Sequence, residues 1–147
     1  MRNTILGDGI NILLPLDGGE ASMRALDEGI YLTKKLGGEL RLLHVISTEK
    51  EGGIFHWHDS NNFASVEGTE IRDQESLKIL DEHRMKLENS GIKYILQNES
   101  GDVSDAIKRV VSRDSISLII LGSRAPISHS IPRKLITESS VPILVIK

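Results

Sequence analysis

Five short apolar runs constrain the fold of this 147-residue chain more than any other feature. Most of the runs are continuous rather than alternating, which is typical of strands covered on both faces, as in a parallel sheet. Helical patterns lie between the runs, and this order predicts a doubly wound α/β layer structure. The predicted strands are Ile10–Leu16, Leu40–Ile46, Ile92–Leu96, Leu118–Leu121 and Pro142–Ile146.

Four segments between these runs read as helices. Three of them carry apolar residues at a spacing of three to four positions, which gives each helix one core-facing side. The first of these closes on two lysines and Gly37, a common C-terminal signal. The predicted helices are Glu20–Leu36, Glu70–Asn89, Asp102–Arg113 and a short last helix that opens at Ser130–Pro132.

The composition indicates one globular domain over residues 1–147, since a chain of this length buries roughly 70% of its unfolded surface. A net charge of −3 gives no electrostatic reason to expect nucleic acid or an anionic membrane as partner. The absence of cysteine excludes disulfides and cysteine-ligated zinc. The apolar runs are too short to span a membrane, and Met1–Gly9 lacks the apolar core of a signal peptide. We therefore expect a cytoplasmic protein.

Residues 47–69 break the pattern, because this stretch of 23 residues shows no clear periodicity. Loops of such length in compact domains are usually functional or disordered. The stretch contains Phe55, Trp57 and Phe63, three of the five aromatic residues of the chain, whereas disordered segments are typically poor in aromatic residues. We expect these side chains to fold back onto a site or to meet a partner; a flexible insertion is the alternative.

The histidines offer little support for a metal site. His56 and His58, followed by Asp59, would place two rings on one side of an extended segment and could ligate a borderline metal. Such residues are more often simply on the surface, so we expect no metal. We expect His44 to be hydrogen-bonded and partly buried, and His83, in the charged helix, to be solvated.

Two strand–helix junctions carry the candidate binding residues. Asp17 follows the first strand, where a carboxylate can accept hydrogen bonds from a base or a ribose. It is equally placed to cap or turn the chain ahead of Glu20. Gly122 opens the loop before the last helix, where backbone N–H groups and the helix dipole converge on a phosphate. This loop is short and has one glycine, which predicts a damaged phosphate grip.

Several segments resemble, in order along the chain, the universal stress protein family. The resemblance implies a three-layer, Rossmann-like α/β/α fold with a five-stranded parallel sheet. It also implies a homodimer, often made through the last strand, and in many members ATP or a related adenine nucleotide at the switch point of the sheet. The segments are Pro15–Gly18 with Glu20–Leu26, Leu42–Ile46, Ile119–Arg124 and Ser140–Ile146.

The resemblance implies binding roles for four residues, and a fifth is a candidate because of its charge. Asp17 and Val45 match positions that hold the adenosine end of the nucleotide. Gly122 matches the first glycine of the family's Gly-x2-Gly-x9-Gly-Ser/Thr loop, and Ser130 matches its hydroxyl residue. Arg124 could add positive charge beside a phosphate, and is equally placed to be a solvated loop residue.

The loop departs from the family pattern in its second and third glycines. Ala125 and His129 stand at these positions, and only residues 126–128 lie between them, so the loop is six residues short. Alanine disfavours the left-handed backbone conformation by roughly 1 kcal/mol or more, and the missing residues remove amides that could surround a triphosphate. The departures imply that triphosphate binding is weak or absent, while binding of adenosine or a monophosphate stays open.

No pattern in the chain predicts catalysis. There is no Gly-x-Ser-x-Gly elbow and no Walker lysine, and no motif pairs Ser123 with a base. We therefore expect no catalytic residue, and a dimeric stress-response module that binds an unidentified protein partner. The dimer would form through Pro142–Ile146, an apolar strand that would otherwise leave an unpaired edge. The alternatives are a switch that binds ATP, ADP or AMP with magnesium and, less favoured, a slow ATP-hydrolysing enzyme.

Overall fold

The computed structural model describes residues 9–16, 20–46, 74–122 and 131–147. These residues form five strands and four helices that alternate along the chain. The elements are β1 (Ile10–Pro15), α1 (Glu20–Leu36), β2 (Gly38–Ile46), α2 (Gln74–Ser90), β3 (Lys93–Ser100), α3 (Val103–Arg113), β4 (Leu118–Gly122), α4 (Ile131–Glu138) and β5 (Ile143–Ile146).

The five strands form one parallel sheet in the order β3-β2-β1-β4-β5. Ile12 of β1 pairs with Leu40 of β2 on one side and with Leu118 of β4 on the other. The chain moves outward from β1 through β2 to β3, then crosses back to β4 and continues outward to β5. The strand order therefore reverses direction between β1 and β4.

Crossovers between parallel strands are right-handed, so the direction of each step decides which face its helix covers. The steps β1 to β2 and β2 to β3 run one way and place α1 and α2 on one face. The steps β3 to β4 and β4 to β5 run the other way and place α3 and α4 on the opposite face. The predicted α/β fold with a five-stranded parallel sheet between helical layers is confirmed.

The core lies at the centre of the sheet. Side chains on both faces of β1 and β4 are buried, as the continuous apolar runs predict. The helices add buried residues such as Leu26 of α1, Ile107 of α3 and Leu135 of α4. Edge strand β5 is less covered, and Leu144 is 36% exposed.

The strand β3 is longer than predicted, since it continues from Leu96 to Ser100. The added residues are polar, so the apolar runs of the sequence did not indicate them. Their backbones pair with the second half of β2, and Gln97 accepts a hydrogen bond from Arg41 at 3.0 Å. The predicted first turn of α2, residues 70–73, lies outside the described residues, as does the segment 47–69.

Both histidines of the described segments are fully buried. His44 was expected to be partly buried, and it lies in β2 where both faces of the sheet are covered. The prediction that His83 is solvated is wrong. His83 and Leu87 are four residues apart on one side of α2, and this side packs inward although the rest of the helix is charged.

A network of ion pairs connects strands β2 and β3 to the C-terminal half of α3. Arg41 contacts Glu39 at 3.1 Å and Asp114 at 3.3 Å. Arg113 donates to Glu99 Oε1 at 2.6 Å and to Asp114 Oδ2 at 3.1 Å. The Glu99 side chain is only 15% exposed, so its charge is partly withdrawn from water and depends on these partners.

The network lowers the pKa of two carboxyl groups. The hydrogen bond from Arg113 holds the pKa of Glu99 below its ordinary value of 4.5, although burial acts in the opposite direction. A hydrogen bond from Arg113 likewise lowers the pKa of Asp114 from 3.8. A carboxyl group with a lowered pKa stabilises the folded state above its unfolded-state pKa. That stabilisation disappears as the pH falls through the folded-state value.

We expect Glu99→Gln to lower the free energy of unfolding by about 1 kcal/mol at neutral pH, the upper end for an ion pair near the surface. The difference from the unsubstituted chain should shrink as the pH falls from about 5 through the lowered pKa of Glu99. Urea melts at several pH values measure it. Glu88→Gln is the control, because Glu88 is exposed and forms no ion pair with other described residues. A pH-independent loss in the Glu99 variant would contradict the assignment.

The turn from α1 into β2 requires glycine at position 38. Gly38 has φ +99°, and a Cβ built there would lie 1.8 Å from the carbonyl oxygen of Ile10. Gly91, in the turn from α2 to β3, has φ +75° but has no atom within 4 Å of such a Cβ. Both positions have a positive φ, and they differ in the space that is available to a Cβ atom.

Gly38→Ala should therefore destabilise the fold by at least about 3 kcal/mol, the sum of left-handed strain and a backbone displacement. Gly91→Ala should show the strain alone, about 1–2 kcal/mol. Chemical denaturation of both variants measures the difference, and equal losses would refute the steric explanation.

Candidate functional site

The candidate site lies at the carboxyl edge of the sheet, where the strand order reverses. β1 and β4 are neighbours there, and the helices that follow them, α1 and α4, lie on opposite faces. Diverging connections of this kind leave a crevice between them, which is where open α/β sheets bind ligands. α1 begins at Glu20 and α4 at Ile131, so the N-termini of both helices are at this edge.

The end of β1 is fixed against β2. The N–H of Leu16 donates to the carbonyl oxygen of Leu43 at 2.9 Å, which extends the pairing one residue beyond Pro15. Leu16 is buried, so the chain is anchored up to the residue before Asp17. Asp17 itself lies outside the described residues.

The structure describes two of the five predicted site residues, Val45 and Gly122, and brings both just beyond the end of β1, one register position apart. Val45 is two residues beyond Leu43, the partner of Pro15. Gly122 is three residues beyond Ile119, the partner of Leu13. They flank β1 on either side, and two strand spacings separate them by roughly 10 Å.

Both residues are buried and uncharged. Val45 is fully buried and has no polar side-chain atom. Gly122 is the last residue of β4, is buried and pairs with Ile146 of β5. Its missing side chain lets another group approach the backbone closely. Neither residue has a polar or charged side chain, so the described part of the site offers no side-chain partner to a phosphate.

The two remaining predicted residues, Arg124 and Ser130, lie outside the described residues. Ile131 directly follows Ser130 and begins α4, which agrees with the predicted start of the last helix. Buried Leu135 and an ion pair between Lys108 of α3 and Glu138 fix the orientation of α4. The hydrogen bond between Lys108 and Glu138 raises the pKa of Lys108 and lowers the pKa of Glu138.

The described carboxylate next to Val45 is engaged in an ion pair. Glu99 pairs in register with Val45, and it accepts hydrogen bonds from Arg113 and from Gln97. Its lowered pKa keeps it ionised and paired, which is unfavourable for a general base. The arrangement around Val45 can therefore bind a ligand more readily than it can transfer a proton.

Two buried hydroxyl residues at this edge were missed by the sequence analysis as site candidates. Ser22 lies in the first turn of α1, and Ser104 lies in the first turn of α3, which Asp102 caps at 3.0 Å. A hydroxyl residue in the first turn of a helix was the available signal. Both residues are 2% exposed, so neither presents its hydroxyl group at the surface of this edge.

Two kinds of feature are absent from the described segments, a metal-binding cluster and a membrane-spanning helix. No group of three or more His, Asp or Glu side chains within them could hold a metal ion. The pattern His56–Asp59 lies outside these segments. No helix in the described segments is long and apolar enough to cross a membrane.

Comparisons with known proteins agree with this fold. The model of the universal stress protein family matches residues 11–147. Universal stress protein YxiE of Bacillus subtilis (strain 168) is 26% identical to this chain, with 92% of this chain and 97% of that protein covered.

Solved structures share the fold at low sequence identity. A universal stress protein in complex with cAMP superposes with a TM-score of 0.64 at 14% identity, covering 94% of this chain and 96% of its own. A universal stress family protein of Arabidopsis thaliana with AMP bound gives a TM-score of 0.62 at 16% identity, covering 94% and 91%. The family match spans every described element of the sheet, and the chain belongs to the universal stress protein family.

Proposed function

We propose that this chain is a dimeric binding and interaction module of the stress response, with a weak grip or none on nucleotide phosphates. The observation that carries the proposal is the length of the junction between β4 and α4. β4 ends at Gly122 and α4 begins at Ile131, which leaves eight residues for the connection. Few backbone amides are then available to surround a triphosphate.

The same edge supports binding of the adenosine end of a nucleotide. Val45 and Gly122 flank the end of β1 within one register position of each other, and Asp17 follows that strand. Relatives of the same fold have been solved with cAMP and with AMP. Adenosine and AMP are therefore the ligands that fit the described residues, and added phosphates contribute little affinity.

Direct titration of ATP, ADP, AMP and adenosine, each with magnesium, tests this proposal. We expect the affinity for ATP to be no more than about tenfold above that for adenosine, since the phosphates gain few hydrogen bonds. Asp17→Asn should weaken adenosine binding, and Asp81→Asn, exposed on α2, is the control. A ligand at 100 times its Kd should also stabilise the fold by about 2.7 kcal/mol.

Micromolar ATP binding, far tighter than binding of adenosine, would instead favour the nucleotide switch that the family resemblance implies. Sustained ATP hydrolysis by the purified protein would favour the enzyme alternative. We expect neither, because Glu99, beside Val45, is already paired with arginine. The proposed module acts as one domain in the cytoplasm, with a protein partner still to be identified.

The dimer is proposed to form through β5. This strand pairs with β4 on one side, and the described residues offer no strand on its other side. All four of its residues, Ile143–Ile146, are apolar, and none is fully buried. An apolar edge with free backbone groups is a template for pairing with another chain. A second copy of β5 would satisfy these groups and cover the exposed side of Leu144.

We expect Leu144→Arg to weaken this dimer by at least about tenfold, because the substitution places a charge at the centre of the paired strands. Analytical ultracentrifugation over a concentration series measures the dissociation constant. Asn98→Arg is the control, since Asn98 is exposed on β3 at the opposite edge of the sheet. A monomeric unsubstituted chain at micromolar concentration would defeat the proposal.

A further inference from the structure

A groove of about 670 Å³ lies between α1 and α2, away from the edge that carries the candidate site. Its apolar lining comes from Met23 and Ile30 of α1 and from Met85 of α2. Met85 is 60% exposed, so its side chain adds apolar surface to the groove. Asp27 and Lys86 form an ion pair across the groove at 2.5 Å.

The groove has a charge of opposite sign at each end. α1 and α2 both run towards the edge of the sheet where the next strand begins, so the two helices are parallel. Lys34 lies seven residues beyond Asp27 along α1, and Glu82 lies four residues before Lys86 along α2. At 1.5 Å per residue, about 16 Å of groove separates the two charges.

The charges at the ends of the groove have no partner within the described chain. Neither Lys34 nor Glu82 forms an ion pair with any side chain in the segments that the structure describes. Both are exposed, whereas Asp27 and Lys86 satisfy each other between them. The surface is thus an apolar strip with a free cation at one end and a free anion at the other.

Such a surface is complementary to itself. A two-fold axis through the middle of the groove brings the Lys34 end of one copy opposite the Glu82 end of the other. Each end charge is then paired once, which gives two equivalent ion pairs, one on each side of the axis, and the three apolar side chains of each copy face those of the other. The charges that line the groove sum to zero, so the approach of two copies carries no net repulsion.

We propose that the groove between α1 and α2 is a second self-association surface, in which two copies of this chain meet about a two-fold axis and pair Lys34 with the partner's Glu82. This surface is separate from β5 and does not depend on the nucleotide crevice. The groove lies on one face of the sheet, whereas β5 is at its edge. Both surfaces can be used together, which would build assemblies larger than a dimer.

Charge reversal tests the pairing. In the Leu144→Arg background, which removes the β5 contact, the chain should still dimerise at high protein concentration and low ionic strength. Lys34→Glu should weaken this association by about tenfold or more, and Glu82→Lys should do the same, because each places like charges opposite each other. The double reversal, Lys34→Glu with Glu82→Lys, should restore it. Sedimentation equilibrium of the full chain measures each constant.

Matched variants separate the groove from general effects of charge. Lys35→Glu lies in the same last turn of α1, and Glu88→Lys lies on α2; both are exposed and outside the groove. Neither should change the association constant. If the Leu144→Arg chain stays monomeric at every concentration, or if the double reversal fails to restore association, the groove proposal is wrong. Neither outcome contradicts the β5 proposal, because the single substitution Leu144→Arg tests the β5 contact in a chain whose groove is intact.

Discussion

The fold depends on the near-complete burial of β1 and β4. These two strands are adjacent, their side chains are buried on both faces, and the helical layers exist to cover them. Right-handed crossovers then leave no choice about which face each helix takes. The reversal of strand order between β1 and β4, and with it the crevice at their carboxyl ends, follows from that arrangement. The position of the binding edge is thus a consequence of how the core is covered.

The sequence contained enough information to predict the elements of this fold, because the apolar runs are continuous and the turns between them carry glycine. Gly37 and Gly91, for example, end α1 and α2, both with positive φ. The extension of β3 to Ser100 was not predictable from hydrophobicity, since those residues are held by polar partners on α3 and β2. His83 was wrongly predicted to be solvated. It continues the spacing of Leu80 and Leu87, but the charged residues around it in the sequence obscured this.

The candidate site was less predictable than the fold. Val45 and Gly122 lie on the two strands that flank β1, and their register with β1 brings them within one residue position of each other. Nothing in the sequence indicated that Glu99 would extend β3 to lie beside Val45, because that contact depends on strand pairing between residues 54 positions apart. Asp17 and Ser130 remain predictions from the resemblance, and Arg124 remains a prediction from its charge. Geometry thus supports the apolar end of the site, and sequence alone supports its polar end.

The ion-pair network above β3 has a consequence for how sheets of different molecules can join. Glu99 and the arginines that surround it line one edge strand with charge, while the other edge strand, β5, is wholly apolar. Charged side chains on an edge strand oppose the addition of a further strand. Each molecule therefore has one edge open to strand pairing and one that resists it. Two molecules joined at β5 would form a ten-stranded sheet with a charged strand, β3, at each edge. Strand pairing of this kind could not extend the sheet into a fibre.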